Sequence, residues 1–368
     1  MRVLQIGLSR CPGGIETFVM TYFRKLVNRG IVFDFIDTYG DGLAFEDEIK
    51  ALGGKIFTVP NCKRHPIKAR KEIIDTIKKN GYPIVHVNML SAANLLPLKA
   101  VERAGSIPIA HSHNSNTHGI LRVFMHNRNL KKLRKMNVVR LACGKAAGDW
   151  LFDDQSYQVI PNAISPDKFS FSSDNRYSLR GKVNLSADDF VIGFVGRLDP
   201  QKNPLFLIDI LSKVKEYNES KNIKLLIVGD GVMRNEVLDY ATRKDLVNDV
   251  VFAGIQKSAA PWYSAMDCFI LPSLYEGFPI VCVEAQAGGL PCFVSENVSS
   301  EVNFANRVKH LPISGDSNIW ADCIQTVIND GENFESRING VINTKYDIDV
   351  SADALCDLYN DLVNRFAK

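Results

Sequence analysis

The sequence predicts an α/β chain of two doubly wound domains, each a parallel sheet with helices on both faces. Three observations lead there. At 368 residues the chain is longer than one ordinary domain and suits two. Short apolar runs alternate with segments of helical period in both halves. Loops rich in glycine, proline and charge follow the apolar runs, which is where parallel sheets bind their ligands. Hydrophobic residues make up 46% and charged residues 23%, enough apolar surface to fill two cores.

In the first half, residues 3–7 form a strand that runs into a glycine loop. Residues 17–29 then place Phe18, Val19, Tyr22, Phe23, Leu26 and Val27 at helical spacing. Further strands are expected at 32–36, 55–59, 84–87, 107–111 and 139–143. In the second half, residues 191–195 read as a buried strand. Residues 204–217 follow as a helix with Leu207, Ile208, Leu211 and Val214 on one face. Strands are expected again at 224–228, 250–253, 268–271 and 292–294. Residues 165–187, rich in Ser, Asp and Asn, have the composition of a linker. The domains are therefore placed at 1–165 and 166–350, facing each other across a cleft, with a final helix at 351–368.

Several classes are disfavoured by composition. No apolar run approaches the roughly 20 residues that cross a bilayer. The N-terminal apolar stretch is too short for a signal peptide, and Arg10, Gly13 and Gly14 follow at once. Eight scattered cysteines without a Cys-x-x-Cys pair argue against a zinc site or disulfide framework and for a reducing, cytoplasmic setting. The Gly-x-Gly-x-x-Gly fingerprint of nicotinamide enzymes is absent.

The net charge of +3 conceals an asymmetry. Residues 1–165 carry 24 Lys and Arg against 13 Asp and Glu; residues 166–368 carry 20 against 28. No acidic residue lies between Glu102 and Asp149. Within that gap Arg128, Lys131, Lys132, Arg134 and Lys135 interleave with Leu130, Leu133 and Met136, the pattern of a basic amphipathic helix on an anionic membrane surface. A solvated basic helix face is the alternative.

Four loops carry candidate chemistry. Gly13 and Gly14 open the first helix and let backbone amides approach an anion. His111 and His113 close the strand at 107–111, where two imidazoles are poor core material; their alternate spacing makes a metal pair conceivable, without a third ligand in evidence. Arg197 and Lys202 flank a turn after the strand at 191–195 and form a cation pair suited to a diphosphate. The most specific segment is 275–289, with Glu276 and Glu284 eight residues apart. Gly277, Phe278, Pro279 and Ile280 lie between them as amides at a helix start. A glutamate in so apolar a helix needs a partner, and a ribose diol is a natural one.

Taken in order, these residues resemble the retaining family-4 glycosyltransferases of the GT-B fold, closest to bacterial members that build exopolysaccharide or capsule. The resemblance also draws on residues 161–164 (Pro-Asn-Ala-Ile, with Ala163 where glycine is common) and on 228–231 (Val-Gly-Asp-Gly), and covers nearly the whole chain. It implies that Glu276 contacts the donor sugar, Glu284 the ribose, and Arg197 with Lys202 the diphosphate. Gly13 and Gly14 would close over the phosphates, His113 would reach the transferring sugar, and the last helix would cross back onto the first domain. The implied partners are a nucleotide sugar, with uridine as the expected base, and a saccharide or lipid-linked saccharide acceptor, not nucleic acid. Retention and metal independence follow from the resemblance, with no cofactor expected. Asp347-Ile348-Asp349 matches a metal-binding pattern of another transferase fold, but helix-start electrostatics before a helix beginning near Ser351 explain it better. A sugar epimerase or phosphorylase of the same fold, or a non-catalytic partner subunit, stays open.

Overall fold

Apolar runs such as Phe190–Val195 have no polar face, so they form strands only where helices cover both sides. The computed structural model describes residues 1–115, 119–276, 278–331 and 337–366 and contains two sheets of this kind. The chain divides into two units: Met1–Ala163 with Lys345–Lys368, and Ile164–Thr344.

In the first unit the strands are β1 (Arg2–Ile6), β2 (Val32–Asp37), β3 (Ile56–Thr58), β4 (Ile84–Met89), β5 (Ile107–Ser112), β6 (Val139–Ala142) and β7 (Gln158–Val159). The helices are α1 (Gly14–Leu26), α2 (Glu46–Ala51), α3 (Pro66–Asn80), α4 (Leu96–Ala104), α5 (Ile120–Leu133) and α6 (Lys145–Phe152). All pairings are parallel, in the order β3-β2-β1-β4-β5-β6-β7. The order reverses beside β1, and that is where such sheets open at their carboxyl ends. Gly7 ends β1 at φ +116°, and a Cβ there would lie 2.2 Å from the Asn88 carbonyl oxygen of β4. Only glycine fits both the angle and the approach.

The second unit repeats the plan with β8 (Phe190–Val195), β9 (Ile223–Val228), β10 (Val250–Gly254), β11 (Cys268–Leu271), β12 (Cys292–Ser295) and β13 (Val308–Leu311), ordered β10-β9-β8-β11-β12-β13. Its helices are α7 (Ser173–Lys182), α8 (Pro204–Glu216), α9 (Arg234–Arg243), α10 (Ile280–Ala287) and α11 (Asn318–Asp330). The core gathers Leu207 and Leu211 of α8, Val237 of α9 and Trp320 and Ile324 of α11 against the sheet. The last helix, α12 (Ile348–Phe366), returns to the first unit, where Ile348, Ala352, Leu355 and Tyr359 join the core beside α1.

Three expectations change here. The stretch 165–187 is not a linker: it holds α7, whose buried face carries Arg176 and Arg180 rather than apolar residues. Both donate to Asp267, at 2.7 and 2.8 Å, and Arg180 also caps the carbonyls of Ala265, Ser186, Ala187 and Asp189. The basic helix at 128–136 does not turn Leu130, Leu133 and Met136 outward. Leu133 is buried, and Leu130 and Met136 pack on the same core, while Arg134 pairs with Asp153. Finally, α12 begins at Ile348, ahead of Ser351, because the Asp347 side chain accepts the Asp349 amide at 3.0 Å. Asp349 pairs with Lys25 at 2.8 Å and faces Arg29, so this Asp-x-Asp is spent on helix start and ion pairs.

Candidate functional site

In the second unit the strand order reverses between β8 and β11, so the loops 196–203 and 272–279 flank the opening. They are joined by the Gln201 carbonyl, which accepts the Leu274 amide at 2.8 Å, and by the Gln201 side-chain amide, which donates to the Tyr275 carbonyl at 3.0 Å. Lys202 then places its ammonium 2.5 Å from Glu276, both side chains largely withdrawn from solvent at 14% and 8% exposure. The Asp199 carboxylate accepts the Lys202 amide at 3.2 Å and fixes the turn. Arg197 differs: its side chain is 79% exposed, with Asp199 at 3.4 Å. The expected pair of equivalent cations is thus one withdrawn lysine on Glu276 and one largely exposed arginine beside Asp199.

The loop that carries Arg197 is held from below by Gly229-Asp230-Gly231. A Cβ on Gly229 would lie 2.0 Å from the Gly196 carbonyl, and one on Gly231 2.3 Å from that of Leu198. The Leu198 amide donates to Asp230, and the Met233 amide to Leu198. These glycines therefore serve the loop's backbone rather than a ligand.

α10 starts behind Pro279 with no side-chain cap and no acidic residue in its first turn. The Ile280 and Val281 amides stand at its positive end. Pro279 has no N–H, so it shapes this end without donating, contrary to its expected place among the amide donors. Phe278 packs on the core of the unit. Gly277 lies outside the described residues. One turn along, Glu284 accepts the Tyr263 hydroxyl at 2.6 Å. Burial pushes its carboxyl up to about 7, while the Tyr263 bond pulls in the other direction.

In the first unit, Gly13 is the N-cap of α1 and Gly14 its first residue, both exposed. A Cβ on Gly14 would meet nothing within 4 Å, so the fold itself does not demand glycine there. Glu16 anchors the loop by accepting the Ser9 amide at 2.7 Å and its hydroxyl at 2.9 Å.

His113 follows β5 and stands against Phe18 of α1, ring centroids 4.9 Å apart. His86 and His111 prove to be core groups, for His111 contrary to the sequence expectation, because each has a polar partner, whereas His113 is half-buried. Tyr359 of α12 lies 2.6 Å from His86 Nδ1, and His86 Nε2 lies 2.9 Å from His111 Nδ1. Asn88 fixes the tautomer of His113. Its Nδ2 donates to the Gln5 side chain at 3.1 Å and to the Ile6 carbonyl at 3.3 Å, so its Oδ1 faces His113 Nε2, at 2.9 Å, as an acceptor. Nε2 must carry the proton, and Nδ1 is left as the lone-pair acceptor. Burial holds both His86 and His113 neutral, with pKa values down to about 3. Among the described residues no three His, Cys, Asp or Glu side chains are grouped to hold a metal ion.

Comparison with known families then matches residues 12–168 to the family described as Glycosyltransferase Family 4 and residues 189–330 to Glycosyl transferases group 1. A Bacillus subtilis protein named as the glycosyltransferase EpsF is 31% identical over 375 residues, covering 98% of this chain and 96% of its own. The chain belongs to the family-4 glycosyltransferases. A second relative of this transferase is the Escherichia coli UDP-Gal:alpha-D-GlcNAc-diphosphoundecaprenol alpha-1,3-galactosyltransferase, 27% identical over 389 residues, with 99% and 97% covered. The fold recurs in a glycosyltransferase of Rickettsia africae (TM-score 0.82, 17% identity, 98% of each chain). It recurs also in Anabaena HepE solved with UDP (TM-score 0.74, 20% identity, 100% and 98% covered). The two parallel sheets are those of the GT-B fold.

Sequence reasoning missed Asn88, Gln5, His86, Tyr359 and Tyr263. A signal existed for two of them: His86 and Asn88 occupy alternate positions of an otherwise apolar strand and so share one face.

Proposed function

We propose that this glycosyltransferase moves a sugar from a UDP-linked donor to a saccharide or lipid-linked saccharide acceptor, with retention and without a metal ion, in assembly of a bacterial polysaccharide. The observation that carries the reading is the Lys202–Glu276 pair beside the uncapped start of α10, at the reversal point of the second sheet. The named activity of the E. coli relative and the UDP-glucose complex of HepE support the donor and acceptor classes. In this reading Lys202, Arg197 and the α10 amides stabilise charge developing on the departing diphosphate. Glu276 faces the donor sugar and Glu284 accepts from the ribose hydroxyls. The Gly13-Gly14 turn leaves room for a phosphate, and His113 offers Nδ1 to a hydroxyl of the transferring sugar. The acceptor hydroxyl attacks the anomeric carbon from the leaving-group side and passes its proton to a phosphate oxygen.

The test is transfer from UDP-sugars to a polyprenyl-diphosphate saccharide, with the anomeric configuration of the product read by NMR. Inversion would overturn the retaining assignment. Failure to release UDP from any UDP-sugar, with turnover of a GDP-sugar instead, would overturn the base. Activity is expected to survive excess EDTA, since the lysine, arginine and helix end supply countercharge; loss on chelation that Mg²⁺ or Mn²⁺ restores would sink metal independence.

Glu284 makes donor binding depend on pH. Its ionised form accepts from a diol, and its carboxyl titrates at about 7 in the free protein. Affinity for an intact UDP-sugar, whose diphosphate diester does not titrate here, is expected to rise with pH through about 7. The gain is about tenfold, the scale of one charge-assisted hydrogen bond. Glu284→Gln should flatten this limb when affinity is measured by calorimetry across the range. An unchanged slope in the variant would remove Glu284 from the ribose.

A further inference from the structure

The first unit has a groove between the starts of α3 and α4 and the first half of α5, with a cavity of about 280 Å³. Arg70 and Lys99 line it, and no acidic residue does. Neither cation has a carboxylate within 4 Å among the described residues, unlike Arg2, Arg24 and Arg29 of the same unit. The first turns of α3 and α4 contain no acid to neutralise them. Around Arg70, residues 63–71 add Lys63, Arg64 and Lys71, while Lys68 faces Glu72 at 3.9 Å.

The helices that line the groove also carry large exposed apolar side chains. Ile67 on α3 is 77% exposed, and on α5 Ile120, Leu121 and Phe124 are 93%, 71% and 61% exposed. Leu121 and Met125, one turn apart, run along the helix toward the cavity, which Met125 lines. The opposite side of α5 is committed to the core. There His126 stacks on Trp150 at 4.3 Å and accepts the Ala92 amide, while Asn129, on the groove side with Met125, donates to the Ala92 and Ala93 carbonyls.

We propose that this groove docks on a membrane, taking the phosphate headgroup of an anionic lipid between Arg70 and Lys99 while Ile67, Leu121 and Phe124 enter the acyl boundary. A soluble anion would use the cations and leave four large apolar side chains in water, an arrangement soluble surfaces seldom keep. A second copy of the chain would bring one basic face against another. An anionic bilayer satisfies both the cations and the apolar side chains. The lipid surface is thus met by the first half of α5 with α3 and α4, not by Leu130, Leu133 and Met136.

Co-sedimentation with phosphatidylcholine vesicles, with and without phosphatidylglycerol, tests this without donor or turnover, so its outcome is independent of the proposed transfer. The full-length protein should bind only the anionic vesicles, and less as salt rises. R70Q/K99Q should lower the apparent partition about thirtyfold, the value of two cations at an anionic surface. L121S/F124S, at exposed positions that leave the core intact, should lower it comparably, whereas K131Q/K132Q should change it by about twofold or less. Wild-type binding in R70Q/K99Q, or no binding to phosphatidylglycerol at low salt, would overturn the site. Competition by inorganic phosphate with L121S/F124S unaffected would overturn the lipid as ligand.

Discussion

Lys202→Ala is expected to lower kcat by about 100-fold or more, the usual cost of losing one preformed donor to a developing anion. The geometry makes it the costlier of the two cation deletions. Lys202 is fixed beside Glu276 by the Asp199 and Gln201 bonds, whereas Arg197 must first be ordered from solvent. Removing the lysine also strands a carboxylate that is 8% exposed. Steady-state kinetics with a UDP-sugar on R197A, K202A and the double variant will decide. Turnover near wild type in the double variant would end the proposal that these residues hold the diphosphate. Thermal unfolding on the same samples separates this from a folding defect.

Asp267→Ala is expected to destabilise the second unit by about 3–5 kcal/mol, the range for breaking a buried ion pair on one side only. Its two oxygens hold Arg176 and Arg180, and Arg337 approaches within 3.5 Å. Without the carboxylate, Arg176 and Arg180 stay inside and lose the two charge-assisted bonds that Asp267 accepts. In a unit of this size the midpoint of thermal unfolding should drop by roughly 10 °C. Scanning calorimetry reads it directly, and a fall of only about 2 °C would mean that water or a shifted side chain replaces the aspartate.

The same triad explains what local sequence conceals. α7 reads as a linker because its periodic positions are arginines, and their partner lies 91 and 87 residues away. By contrast, β8 is plain from its unbroken apolar run, since a strand buried on both faces admits nothing else. The strands β7 and β13 escape for another reason. One has two residues, and the other inserts Lys309 and His310 between its apolar ends at a sheet edge. The spacing of Leu130, Leu133 and Met136 is real, but periodicity does not say what covers a face. At the candidate site the charged loops were legible because sheets of this class place ligands after their strands. The supporting shell was not, for Asn88, Tyr263 and Tyr359 act through contacts between elements distant in sequence.

Tyr359 and its helix also impose an order on biosynthesis. A ribosome releases residues 1–163 first, yet their core lacks Ile348, Leu355 and the hydroxyl that meets His86 until residues 345–366 emerge. Until then a strip beside Phe23 and Phe33 is open to water and to chaperones, and His86 lacks its tyrosine partner. The second unit, made later, needs nothing from α12 for its own core and can close first. The core of the half that bears His113 is thus assembled from two stretches separated by the whole second unit, whereas the second unit draws its core from one continuous stretch.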